Sequence, residues 1–356
     1  MMSADERSPL LTSISPRKRQ ERKAPSSRKL CLLIASVVLL LFITVLILRH
    51  VRAKIPNFIA HEYGVGFHLT IPYGTVSISY PDVTIHNVAK IGGPPQYQEF
   101  MLRLSLESSE HLHPPYRSLD EAFPSTDVDI LAGFIQTLRA AAETTLGNSP
   151  VSGAVVTVAH IPALYAEDLE DAFEYAGLIY LAHYPYWYGG VSHETSAAYA
   201  GNGFGLCSNY TDMEACDDEP GSQHENVLSA ALTAGLLTST WSNMGIYFAY
   251  PSTEHYPSVA DPDLGLDHRH DGREDEYWAL VRDALLKPLV QANQHIRVNT
   301  QKILLHGDGA TDDRFREVVG EALHELAPYL NASDIFAEDV VYAVARGAAE
   351  MAKRVS

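Results

Sequence analysis

The chain has 356 residues, 46% hydrophobic and 20% charged, which is enough apolar material for a large core and excludes a chain that is disordered throughout. Its net charge of −18 is unevenly placed: residues 1–29 carry 8 Lys+Arg against 3 Asp+Glu, about +5, and the rest carries 18 against 41, or −23. A body that acidic repels nucleic acid and anionic lipid, so nucleic-acid binding is set aside as a function.

In chain order, residues 1–29 are rich in Ser, Pro, Arg and Lys and are expected to be a disordered basic tail. From Leu30 to Leu48 the sequence LCLLIASVVLLLFITVLIL has no charge, Pro or Gly. At about 1.5 Å per residue it covers roughly the 30 Å hydrocarbon core of a bilayer. It is longer than the apolar region of a cleaved signal peptide and runs into Arg49, His50, Arg52 and Lys54, so an uncleaved transmembrane helix is expected. Seven basic residues between Arg17 and Lys29 precede it, which predicts a cytosolic tail and a lumenal or extracellular C-terminal domain in the secretory pathway. The bilayer, reached through Leu30 to Leu48, is then one partner; residues 49–59 are a linker and 60–356 the folded domain.

Short β-rich runs open that domain: residues 66–71, 74–80 and 83–85, bounded by Gly, Pro and Asp. Residues 128–146 have helical spacing and stop at Gly147. A buried strand is predicted over 153–159 and an amphipathic helix over 165–180. Residues 208–226 and 251–275 are polar and turn-rich, and flank the more apolar stretch 227–250. Helices are predicted over 278–298 despite Pro288, over 313–326 and over 337–354, with a strand at 302–305. Strand, turn and helix recur, which argues for α/β architecture. No internal sequence repeat is visible.

Only Cys207 and Cys216 lie in the body, ends of the polar segment CSNYTDMEAC, which reads as a surface loop closed by a disulfide in an oxidising compartment; two unpaired thiols are the alternative. Asn209-Tyr-Thr and Asn331-Ala-Ser are glycosylation sequons on the same side of the apolar span.

Three segments resemble the ATPase domain of the seventy-kilodalton heat-shock chaperones, and through it the actin-like ATPase superfamily. The first is AVVTVAHIPALYAEDL from Ala154, with Ala172 and Ala176-Gly177-Leu178, similar to the family's strand, proline turn and helix. The second is Glu194-Thr-Ser-Ala-Ala-Tyr-Ala, similar to the segment before the second phosphate loop. The third is ILLHGDGA from Ile303 with Arg314-Phe315, followed by VYAVARGAAEMAK from Val341; it resembles the adenosine-side turn and the closing helix, most of all in fungal proteins of a degenerate type. The resemblance implies a degenerate two-lobed actin-like (ribonuclease H-like) α/β fold over about residues 60–354, preceded by the one transmembrane helix. It also places residual nucleotide contacts at Gly307, Asp308, Gly309 and Gly347, and sets the stretch from Val227 to Leu237 across a cleft from Gly307.

The departures concern the phosphates. These folds hold a triphosphate on Gly-rich hairpins with an Asp placed for Mg²⁺. Near Glu62 to Leu69 the chain reads EYGVGFHL, with no Asp, and between Val227 and Ser242 it reads VLSAALTAGLLTSTWS, with one Gly and no carboxylate. Asp308 stands where a second glycine is expected and would repel phosphate. Hydrolysis and a cofactor are therefore not expected; ATP stays open as a weak ligand. The sequence ends after the closing helix, and a chaperone's peptide-binding domain is not expected.

Other chemistry is weaker. His268, His270 and Asp271, with Asp261, Asp263 and Asp267, have the density of a metal site but the composition of a solvated acidic loop. His160 and His193-Glu194 could do acid-base work, yet no Gly-x-Ser-x-Gly elbow or ordered triad accompanies them. The run YLAHYPYWY from Tyr180 suits a stacking or partner-binding surface, or core packing. The leading expectation is a non-catalytic scaffold with an unknown protein partner. The others are a divergent nucleotide-binding switch and an α/β hydrolase.

Overall fold

The computed structural model describes residues 63–106, 126–161, 163–181, 193–208, 210, 225–247, 250–253, 258–269, 272–291, 300–326 and 334–355. The basic tail, the apolar span from Leu30 to Leu48 and the linker lie outside them. Among the described residues no helix is long and apolar enough to cross a membrane.

The fold is mixed α/β with two mixed sheets. Strands β1 (Gly64–Leu69) and β2 (Tyr73–Ser79) are buried along their whole length and pair antiparallel. β3 (Ile85–Gly92) completes a meander as an edge strand with mostly half-exposed residues. Helices α1 (Pro95–Ser105) and α2 (Thr126–Thr145) follow. β4 (Gly153–Val158) then lies parallel to β1. Helix α3 (Ala166–Tyr175) leads to the two-residue β5 (Ile179–Tyr180), parallel to β4. The sheet order is β3-β2-β1-β4-β5, and the short helix α4 (Glu194–Gly201) comes next.

The second sheet repeats this plan. β6 (Glu225–Leu232) and β7 (Leu237–Tyr247) are antiparallel, and β8 (Tyr250–Thr253) and β9 (Ser258–Asp261) both pair with β7. Helix α5 (Glu274–Gln291) precedes β10 (Thr300–His306), parallel to β6; α6 (Asp313–Leu326) precedes β11 (Ile335–Phe336), parallel to β10; α7 (Ala343–Val355) closes the chain's described part. The order β11-β10-β6-β7-β8 has the senses of the first sheet, strand for strand. The topology is thus duplicated although no sequence repeat announces it.

Each sheet has its own apolar core. The first gathers Phe67, Met101, Ile135 and Phe173; the second gathers Trp241, Trp278, Leu305 and Phe315. Helix α7 returns from the second sheet to pack on β1, β2 and β4. It also crosses α4 at a glycine on each helix. A Cβ on Gly201 would stand 1.8 Å from Ala343 O, and one on Gly347 would stand 1.8 Å from Ala197 O. Only glycine permits that approach.

Several predicted boundaries move. The third strand begins at Ile85 and runs to Gly92, because an edge strand with exposed Lys90 and His86 lacks a continuous apolar signature. The helix predicted over 165–180 ends at Tyr175, since Gly177 at φ +70° terminates it and the chain turns into β5. The loop predicted over 251–275 contains β8 and β9. The helix expected from residue 337 starts at Ala343, after a turn in which Asp339 sits at φ +51°.

Candidate functional site

The two antiparallel hairpins at the start of each sheet end in the same kind of turn. In the first, Thr70 donates from its N–H (2.9 Å) and its hydroxyl (2.7 Å) to Tyr73 O. In the second, Thr233 donates in the same two ways to Leu236 O, at 2.9 and 3.1 Å. These turns meet: a Cβ on Gly235 would lie 3.2 Å from Ile71 Cγ2 and 3.7 Å from Pro72 Cδ. An apolar contact therefore occupies the space between the hairpin tips.

Beside it, Tyr73 is buried and its hydroxyl accepts from the Asp308 N–H at 3.2 Å. Lys90 of β3 reaches over the Tyr73 ring, 4.1 Å from its centre, and pairs with Asp308 at 2.7 Å. One tyrosine and one lysine of the first sheet thus clasp the turn that follows β10. Burial and the Asp308 carboxylate raise the Tyr73 phenol well above its ordinary value, so it stays protonated.

Deeper in the junction, His68 (β1), Glu194 (α4) and His306 (β10) are almost fully enclosed. Glu194 Oε2 lies 3.4 Å from His68 Nε2, and Thr238 of β7 donates to Glu194 Oε1 at 2.5 Å. His306 Nε2 is 2.9 Å from Ser229 Oγ, and the rings of His68 and His306 are edge-on at 6.2 Å. His160 and His193 stack at 4.0 Å, and His160 Nε2 is 3.2 Å from Thr195 Oγ1. Burial lowers His306 to about 4, with Glu194 opposing and His68 and His160 adding to the effect. Burial acts to raise the Glu194 carboxyl, but the imidazoles of His306 and His68 and the Thr238 hydroxyl outweigh it, and the group is held well below the usual carboxylate range.

Of the four residues expected at a nucleotide, Gly307, Asp308 and Gly309 share the turn after β10, while Gly347 packs against α4. Gly307 has φ +84°, a Cβ there would meet Leu232 O at 2.5 Å, and its N–H donates to Val340 O at 2.9 Å. A Cβ on Gly309 would meet Leu232 Cγ at 2.7 Å. Asp308 is engaged by Lys90 and Tyr73, and Gly347 is in the α4–α7 crossing. These glycines are explained by packing. The stretch from Val227 does enter the second sheet, but it lies beside Gly307 rather than across a cleft, because β6 and β10 are neighbours.

The hydroxyl–imidazole pair Ser229–His306 does not make a hydrolase. Both side chains are enclosed, and His306 Nδ1 has no partner, so no carboxylate orients the ring. Asp261 caps the short 3-10 turn Pro262–Leu264 by accepting from the Asp263 N–H at 3.0 Å, and among the described residues no His, Cys, Asp and Glu group is placed to hold a metal ion. Cys207 is buried and disulfide-bonded. Cys216, Asn209, Asn331, His270, Asp271 and most of the aromatic run after Tyr180 lie outside the described residues.

Sequence reasoning missed His68 and His306 as site residues, and named His160 and His193-Glu194 only as possible acid-base groups. A pocket of about 490 Å³ lies at the opposite, C-terminal end of α4, lined among others by Asn202, Phe336, Arg346 and Arg354. A comparison with protein-family models and with characterised proteins returned no match.

Proposed function

We propose that this chain is a single-pass type II membrane protein whose lumenal domain is a degenerate actin-like fold of the chaperone-ATPase kind, acting as a non-catalytic scaffold or interaction module. What supports the fold is the duplicated plan of three antiparallel strands followed by two parallel ones, with helices α4 and α7 crossing between the sheets. One observation carries the functional reading: the junction where such a fold would receive a triphosphate is occupied by the protein itself. Ile71 and Pro72 abut Gly235, and Tyr73 and Lys90 hold Asp308. His68, Glu194 and His306 fill the depth. Among the described residues the two carboxylates at the junction are already engaged, Glu194 by Thr238 and His68 and Asp308 through one oxygen by Lys90.

The basic tail, the apolar span, the disulfide at Cys207 and the sequons at Asn209 and Asn331 support the lumenal placement. The test is an ATP turnover assay on the full-length chain with Mg²⁺, paired with protease protection of membrane-bound protein. The reading expects no turnover above the buffer rate and a protected C-terminal domain carrying glycan. Turnover abolished by a Glu194→Gln change would overturn the non-catalytic reading. Digestion of the domain from the cytosolic side would overturn the topology.

A further inference from the structure

The junction gathers five titratable groups from both sheets and the helix between them: His68, His160, His193, Glu194 and His306. His68 is 1% exposed, with Nε2 against Glu194 at 3.4 Å and Nδ1 unpartnered. His306 is 0% exposed, with Nε2 on Ser229 and Nδ1 unpartnered. An enclosed polar atom without a partner is costly, so the arrangement calls for a reason. Among the described residues Glu194 faces His68, and Asp308 beyond the cluster is taken by Lys90.

We propose that this cluster is an acid-sensitive latch, in which neutral imidazoles let the two hairpin turns close on each other and protonation of the enclosed histidines drives them apart. The Glu194 carboxylate lies against His68 Nε2 at 3.4 Å, so among the described residues a proton taken up at His306 finds no acid of its own. The charges acting on that ring are Glu194, His68 and His160, and of the other groups touching it or its neighbours Ser229, Thr238 and Thr195 are uncharged. Enclosure holds His306 at about 4, whereas a hydrated imidazole titrates near 6.5, so acid favours whichever state gives the ring water. The elements that would part are built to do so. The contact between the tips is a small apolar one at Ile71, Pro72 and Gly235, and the Lys90–Asp308 clasp is one-third exposed. The strands behind them are locked in their own cores. This latch rests on the closed junction alone and stands whether or not the domain is a scaffold.

The test is hydrogen exchange by mass spectrometry on the full-length chain at about pH 7 and about pH 4.5, corrected for the intrinsic pH dependence of exchange. Residues 69–73 and 232–237 are expected to lose protection by about tenfold in acid, while 155–158 in β4 and 303–305 in β10 keep theirs. His306→Gln, which retains a partner for Ser229 but cannot be charged, should hold the turns protected at the lower pH. His68→Gln serves as the second variant if the first fails to fold. Unchanged protection of the turns, loss of protection everywhere at once, or an acid response persisting in the folded variant would each overturn the latch.

Discussion

At the scale of single residues, the glycines are the sharpest test of how the molecule is packed. Gly347 faces Ala197 O at a distance no methyl can share, so Gly347→Ala must push α7 off α4. Overpacking of this kind costs about 3 kcal/mol or more, which urea denaturation would read as a lower midpoint at unchanged slope. The exposed clasp is a different case. Lys90 and Asp308 are each about a third exposed, and Lys90→Ala should cost only about 0.5–1 kcal/mol by the same measurement. His306 makes stability depend on pH. Its folded value of about 4 lies below the ordinary 6.5, so in the window between them the unfolded chain binds a proton that the folded one refuses. Stability is therefore complete above about pH 6.5 and declines toward pH 4, by about 3 kcal/mol in all. His306→Gln should flatten that decline in a thermal-melt series. These residues were poorly legible in sequence: the four histidines are scattered from 68 to 306, and nothing local marks their meeting.

At the scale of elements, the hairpin turns hold the most information. Thr70 and Thr233 make the same pair of bonds to the residue three positions on, in buried surroundings. Replacing either by Val keeps the shape and removes the hydroxyl, and each change should lower stability by about 1 kcal/mol in denaturant titrations. Amphipathic helices such as α2 and α6 were readable because one apolar stripe faces a core. Helix α4 was not, because all but its last residue are buried and ETSAAYAG has no helical stripe. β5 and β11 have two residues each, too few for any alternation to show. β3 was displaced because an edge strand mixes polar with apolar residues, and register there comes from pairing with β2.

At the scale of the whole molecule, the α/β class was legible from alternating strand and helix signals, and the duplicated topology was not, since the two halves share a plan and not a sequence. That duplication, with two helices crossing between the sheets, supports the proposed actin-like ancestry; the filled junction supports the proposed loss of nucleotide chemistry. On the proposed reading, side chains of this protein occupy the place of a triphosphate. The measurement that tests it most directly is a calorimetric titration of the full-length chain with ATP and ADP, with and without Mg²⁺. No binding heat is expected up to millimolar nucleotide. Magnesium-dependent binding at micromolar affinity would contradict it, and would mean that the clasp of Tyr73, Lys90 and Asp308 opens to admit a ligand.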